Sequence, residues 1–449
     1  MTDLTKGNTL KLIITFAIPI LIGNLFQQLY NLIDTVIVGQ TLGVKALAAV
    51  GATSPIIGLL LSFAIGMTNG YSVVIARFFG ANDIKEMKKA VAGTVVLGLA
   101  TSILFTVVSL IGIRPVLRIL ATPDDVIDGA YSFARIIIMG LTFSMLYNMF
   151  SSVLRALGDT KSPLYFLIIS TVVNIILDYL FICGFGMGVE GAAFATVLSI
   201  LLSAVLCFIY ILKNYPILRL KKEDFNLNRS IIMDLFSTGI SMGLMLSVVA
   251  IGTVILQNAI NGFGTETIAA HTAARKITEM FMLPLSTVSV TAATFSSQNY
   301  GANKPDRIKK GFIQLILISW VWSTVVVIMS FTIVPLIVSG ITGTAETEII
   351  DTATRYLRID TPFYYVLGIL LVLRSAMQGI GQKVVPIMAS VIELVGKVIA
   401  AYYLAPKLGY LGICITEPII WIACALFLVI KGFGIMQKGM AFSPQSQAE

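Results

Sequence analysis

The sequence predicts an all-α integral membrane protein with twelve transmembrane helices in two pseudo-symmetric six-helix bundles. Three observations carry this prediction. First, 57% of the 449 residues are hydrophobic, only 12% are charged and mean hydropathy is +0.92, whereas soluble domains carry about 25% charged residues. Second, the chain divides into long apolar segments, and a hydrocarbon core needs only about 20 residues per helix. Third, the two halves of the chain repeat each other.

The apolar segments of the first half cover 10–38, 46–76, 90–113, 129–153, 163–184 and 188–213. Those of the second half cover 229–260, 266–297, 309–340, 349–375, 385–405 and 410–432. Several exceed the minimum, so tilt or protrusion into water is expected. The opening "MTDLTKGNTLKL" is short and polar, and the apolar run after it is too long for a signal peptide. It is expected to remain as the first span. The longest polar stretch, "KNYPILRLKKEDFNLNRS" (213–230), lies near the middle. The expected organisation is an N-terminal lobe over 1–212, a cytoplasmic linker over 213–228, a C-terminal lobe over 229–433 and a cytoplasmic tail over 434–449.

The net charge of +8 does not point to nucleic acid, because the cations sit in short loops between spans. With both termini inside, the inner segments hold 21 of the 31 Lys and Arg. The outer loops hold five: Lys45, Arg114, Arg118, Arg355 and Lys407. This bias predicts cytoplasmic N- and C-termini in a multi-pass protein of the plasma membrane. The four cysteines, Cys183, Cys207, Cys414 and Cys424, lack metal-type spacing and read as small apolar filler.

"RFFGANDIKEMKKA" from Arg77 matches "QNYGANKPDRIKKG" from Gln298, and "LGVKALAAV" from Leu42 matches "FGTETIAAH" from Phe263, both at an offset of 221. "LRALGDTKSP" from Leu154 matches "MQGIGQKVVP" from Met377, and "ARI" from Ala134 matches "LRI" from Leu357, both at 223. Matches in one order at nearly one offset define a repeat. An even number of spans per half makes it a parallel repeat, the organisation of a two-lobed transporter.

Asp34 is the only charged side chain between Lys11 and Lys45. A carboxylate at a helix centre costs about 2.5–3.5 kcal/mol on insertion scales and usually faces a functional cavity. Asp178 lies in span 5, and Asn174, four residues earlier, shares its helix face. The loop "GFGMGVEG" then reverses the chain, so that Asp178 and Thr196 fall at similar depth in the hairpin. Four oxygen-bearing side chains from three helices can therefore converge in the outer half of the first lobe. Hard oxygen ligands suit a cation, and two close carboxylates suit a shared proton. The alternative is a buried polar network that only fixes packing.

"FAIPILIGNLFQQLYNLIDTVIVGQTLGVKALAAVG", the two "GAN" loops and "LRALGDTKSP" resemble the multidrug and toxic compound extrusion (MATE) family over nearly the whole chain. The resemblance implies a V-shaped pair of lobes and an antiporter that exports amphipathic, often cationic, compounds by alternating access. It implies coupling to H⁺ or Na⁺ and no other cofactor. In the DinF-like branch the matching positions form the first-lobe site; carried across, they are Asp34, Asn174, Asp178 and Thr196, with Na⁺ as a candidate ligand of the same four. Pro19 removes a helix hydrogen bond in span 1 and is either a static kink or a hinge that Asp34 controls. The alternative function is a lipid-linked oligosaccharide or lipid flippase of the same superfamily.

The remaining candidates have two readings each. Glu279 either meets cationic substrates or pairs with Lys276 or Arg275. Met145, Met149, Met245 and Met282 either line an adaptable pocket or pack ordinarily. His271, the only histidine, reads more readily as a packed polar group than as a proton relay. Glu393 and Lys397 are spaced to pair, Lys397 stands at the repeat position of Asn174, and Ile255 stands at that of Asp34. No GxxxxGK[ST] phosphate loop and no nucleophile–base constellation appears, so neither ATP-driven transport nor enzyme chemistry is expected. The expected partners are small amphipathic molecules and membrane lipids, with the protein acting as a monomer and without nucleic acid.

Overall fold

The computed structural model describes residues 2–120, 122–342 and 346–437; Lys438 and the tail beyond it lie outside the described residues. Its helices are α1 (Thr9–Gly80), α2 (Ile84–Ile119), α3 (Asp124–Met139), α4 (Leu141–Ala156), α5 (Lys161–Asp178) and α6 (Gly188–Asn214). After the linker come α7 (Arg229–Ile260), α8 (Thr265–Gly301), α9 (Pro305–Thr332), α10 (Val334–Thr342) and α11 (Thr347–Asp360). The last four are α12 (Tyr364–Gly379), α13 (Val384–Ile399), α14 (Ala405–Leu408) and α15 (Tyr410–Gln437).

Ten of the described helical segments are long and apolar enough to cross a membrane, or eleven when α3 and α4, bent by 42°, count as one span. α1 itself holds two. Its 72 residues run through a non-helical Gly43 (φ 80°, ψ −175°), and a straight helix of that length would reach about 108 Å, against a hydrocarbon core of about 30 Å. Dividing α1 there accounts for all twelve predicted spans. Three spans are less regular than expected. The fourth breaks at Gly140, where a Cβ would lie 2.3 Å from Val197 Cγ2. The ninth ends at Thr332 and resumes as α10. The tenth breaks at Thr361–Phe363, where Pro362 supplies no backbone donor.

The repeat is written in the backbone as well as in the side chains. Left-handed φ values recur at Gly43 and Gly264, Asn82 and Asn303, Gly158 and Gly381, and Gly186 and Gly409. These are the same offsets, 221 and 223, that relate the motifs. A π-turn follows α5 at Tyr179–Gly184, and another follows α13 at Ala400–Leu404. Asn82 and Asn303 each end a long helix, since a short polar side chain tolerates the left-handed region. Asp83 then caps α2, its carboxylate accepting from Glu86 N at 3.0 Å.

The chain forms two compact units. The first is Ile18–Gly243 with the opening residues, and the second is Leu4–Ala17 with the chain from Leu244 onward. The start of α7 therefore belongs to the first unit. There a Cβ on Gly66 would meet Met242 O at 2.5 Å and one on Gly70 would meet Gly239 Cα at 2.6 Å, so α1 and α7 touch backbone to backbone. The buried pair Arg77 Nη2–Asp234 Oδ2, at 3.1 Å, locks the same contact. In the second unit the N-terminal segment is gripped at the matching loop. Leu4 N donates to Gln298 Oε1 at 3.0 Å, and Arg307 donates to the carbonyls of Leu4 and Gly7. The second unit is built around α8, whose most apolar stretch is 67% buried against 17% for that of α2. Large apolar side chains such as Ile111, Val321 and Leu336 point outward, as a lipid-facing surface requires.

Candidate functional site

In the first unit α1, α5 and α6 bring the four predicted polar residues together. Asn174 Nδ2 donates to Asp178 Oδ2 at 3.0 Å, and its Oδ1 accepts from Thr196 N at 3.3 Å, in the amide orientation that satisfies both atoms. Asp34 and Asp178 act on each other electrostatically across the gap between α1 and α5. Asn174 and Asp178 are fully buried. Asp34 Oδ1 and Asp178 Oδ1 are both enclosed and accept no hydrogen bond. Buried oxygens rarely stay unpaired, so two such atoms on neighbouring carboxylates form a donor set suited to a proton or a hard monovalent cation.

Sequence reading missed one member. Tyr30, one turn before Asp34, donates its hydroxyl hydrogen to Thr196 Oγ1 at 3.2 Å. The i, i+4 spacing to Asp34 was the available signal. The local fold explains the convergence. Asp178 ends α5, and the π-turn that follows widens the helix there, a feature frequent at functional sites. α6 opens with the small residues Gly191, Ala192, Ala193 and Ala195, and a Cβ on Gly191 would sit 3.1 Å from Phe181 Cβ. That close approach sets Thr196 opposite Asn174.

A cavity of about 180 Å³ runs within the first unit from Tyr30 to Arg155 and Thr160. Its polar wall includes Asn24, Gln27, Tyr147, Asn148 and Ser151, and its apolar wall includes Leu61, Ile65, Leu164 and Leu167. Pro19 lines it too, and α1 keeps helical geometry through that residue. Tyr30 thus belongs to both the carboxylate cluster and the cavity wall. Arg155 donates to Ser151 Oγ at 2.8 Å, Ser152 Oγ at 2.7 Å and Asn69 Oδ1 at 3.3 Å.

The candidate substrate residues fall elsewhere. Met145 and Met149 are buried in the packing of α4, Met149 Sδ lying 3.1 Å from where a Cβ on Gly98 would be. Met245 is buried in the second unit, its sulfur accepting from Gln378 Nε2 at 3.1 Å. Met282 packs against the hydrophobic core of that unit. Glu279 is exposed and pairs with Lys276 at 3.4 Å.

The second unit fills the equivalent region with paired charges. Lys397 Nζ lies 3.1 Å from Glu393 Oε1 and 3.4 Å from Glu417 Oε1. Arg374 Nη1 lies 3.4 Å from Glu393 Oε2. The Lys397 stem presses on α7, so that a Cβ on Gly252 would be 2.7 Å from Lys397 Cδ. His271 is buried, with Nδ1 3.0 Å from the Tyr410 hydroxyl. Asp360 is buried as well, and Glu417, Arg275 and the Tyr364 hydroxyl act on it. No group of three or more His, Cys, Asp and Glu suited to a metal occurs among the described residues.

The MatE family model matches the chain twice, over residues 19–180 and 241–403. The probable multidrug resistance protein YoeA of Bacillus subtilis is 28% identical over 94% of this chain and 93% of its own length. The probable multidrug resistance protein YpnP of the same organism is 32% identical over 68% of each chain. A solved structure of a multidrug resistance MATE family transporter in its outward-facing conformation superimposes with a TM-score of 0.90, at 24% identity over 98% of both chains. That likeness concerns the fold, and the double match of the family model falls on the two repeats found in the sequence and the backbone. The chain belongs to the MatE family and is a multi-pass membrane transporter, not an enzyme.

Proposed function

We propose that the protein is a cation-coupled multidrug antiporter of the DinF-like type. In this reading it resides in the plasma membrane with both termini cytoplasmic, exports amphipathic and often cationic compounds, and couples that export to H⁺ or Na⁺. The single observation that carries the reading is the pair of enclosed carboxylate oxygens on Asp34 and Asp178, each without a hydrogen-bond partner. A cation placed between them satisfies both oxygens at once. Tyr30 supplies the link to export, because it touches Thr196 of this cluster and also walls the cavity. A shift of α1 that closes the cluster around a cation reshapes the cavity, so the cation and the substrate compete for the lobe. Pro19 leaves the carbonyl of Thr15 without its helical donor and lies two residues past Ala17, where α1 passes from one unit to the other. It is the natural place for α1 to yield. The names of the bacterial relatives favour drug-like substrates.

The test is efflux of ethidium from proteoliposomes with a proton or a sodium gradient imposed separately. The wild type should respond to at least one gradient, and Asp34→Asn should lose that response. Undiminished coupling in Asp34→Asn would remove the site from the proposal.

A further inference from the structure

Among the described residues Arg155 has no counter-charge. It ends α4 and lines the first-unit cavity, yet its three hydrogen-bond partners, Ser151, Ser152 and Asn69, are all neutral. The nearest acid in sequence is fully engaged elsewhere. Asp159 accepts from Ser162 Oγ at 2.7 Å and from the Tyr215 hydroxyl at 2.6 Å, besides the backbone N–H groups of Lys161 and Ser162. The groups that act electrostatically on Arg155 are Tyr147 and Cys207, not the carboxylates of Asp34 and Asp178. An unpaired guanidinium at the wall of a protein cavity is costly to keep. A guanidinium carries five donor hydrogens, and the three contacts leave Nε–H and one Nη1 hydrogen for another acceptor. The cavity, about 180 Å³, corresponds to about six water volumes. That is room for a small charged head and part of an apolar body, and the cavity wall includes the apolar Leu61, Ile65, Leu164 and Leu167.

We propose that Arg155 is an anion-recognition residue that takes the carboxylate of acidic or zwitterionic amphipathic substrates. Their apolar bodies lie along Leu61, Ile65, Leu164 and Leu167. The assignment rests on the transporter reading above and extends its substrates beyond cations. The planar guanidinium suits a carboxylate better than a lysine ammonium does.

The test compares 4-phenylbutyrate with its neutral analogue 4-phenylbutyramide, titrated calorimetrically into the purified full-length protein. The wild type should bind the acid about tenfold more tightly than the amide. Arg155→Gln should bring the two affinities together, and Arg155→Lys should fall between. Equal affinity for acid and amide in the wild type overturns the proposal without any variant having to fold. A carboxylate could also belong to a free fatty acid resident in the lobe, so labelled 4-phenylbutyrate is followed from proteoliposomes under the coupling gradient. Export supports a substrate site, and binding without export overturns the proposal in favour of a resident lipid. Ethidium efflux by the same wild-type vesicles separates the two readings. If ethidium moves while acid and amide bind alike, only the role of Arg155 falls. If ethidium does not move, the multidrug antiporter reading of the proposed function falls.

Discussion

The two units carry the same backbone repeat but treat buried charge in opposite ways. In the first, Asp34 and Asp178 each keep an unpaired oxygen, and Asn174 ties Asp178 to Thr196. In the second, Ile255 stands where Asp34 would be, and Lys397 takes the place of Asn174 between Glu393 and Glu417. An ammonium fixed between two carboxylates is an internal cation, and it occupies the oxygens that a transported cation would need. The π-turns and left-handed residues persist on both sides. The backbone is therefore shared, and the two units differ in the side chains at two repeat positions, Asp34 and Asn174 in the first against Ile255 and Lys397 in the second.

The largest effect that would sharpen this comparison is in the first unit. Asp34→Asn and Asp178→Asn should each reduce gradient-driven efflux on the order of a hundredfold, since truncating a buried charged ligand costs several kcal/mol. Gradient-driven ethidium efflux measures it, and loss in one variant but not the other would break the pairing. In the second unit, Lys397→Met should strip buried Glu417 of its ion-pair partner, leave Glu393 with Arg374 alone and destabilise the fold by about 3–5 kcal/mol. Thermal unfolding in detergent reads this as a lowered midpoint. A variant of unchanged stability would mean that the charges are not a structural network.

Smaller effects test the edges of the comparison. Tyr30→Phe removes one neutral hydrogen bond, worth about 0.5–1.5 kcal/mol, and should weaken coupling up to about tenfold with substrate binding retained. Parallel binding and efflux measurements separate the two. The last contrast lies in the loops after α4 and α12. Asp159 accepts from Tyr215, whereas Gln382 holds the matching position. Burial, then the hydrogen bond to Asp159 and its charge, push the Tyr215 hydroxyl above its ordinary value. A raised folded value means that this stabilisation is complete below the unfolded tyrosine value of about 10 and is lost as pH rises toward the folded one. Wild-type stability should therefore fall above about pH 10, and Tyr215→Phe should lack that component. Unfolding midpoints of both proteins, measured across neutral and alkaline pH, check it.

Much of the fold was legible in the sequence because each signal is local. Apolar runs, the 221–223 offset and glycines or asparagines at turns are read along the chain without knowing what packs on what. The break at Gly140 was not, since it depends on Val197 filling the space of a side chain; the break at Thr361–Phe363 had a local signal in Pro362, inside a segment read as one span. The four polar residues of the first site were found from depth along a hairpin. Tyr30 was not, because a tyrosine in a span has no charge to mark it. The methionines mark no surface by themselves. Flexible thioethers fill core and cavity alike, and Met149 lies against Gly98 in the packing of α4.

By itself the sequence determined the membrane class, the span pattern, the repeat and the asymmetry between Asp34 and Ile255, because hydropathy, charge bias and repetition are properties of the chain. Only the tertiary structure decided which polar atoms are satisfied. It left an oxygen free on Asp34 and another on Asp178, placed Lys397 between two glutamates, and set Arg155 on a cavity with no counter-charge among the described residues. Whether a buried charge is paired depends on distances between helices far apart in the chain, and no local pattern encodes those distances.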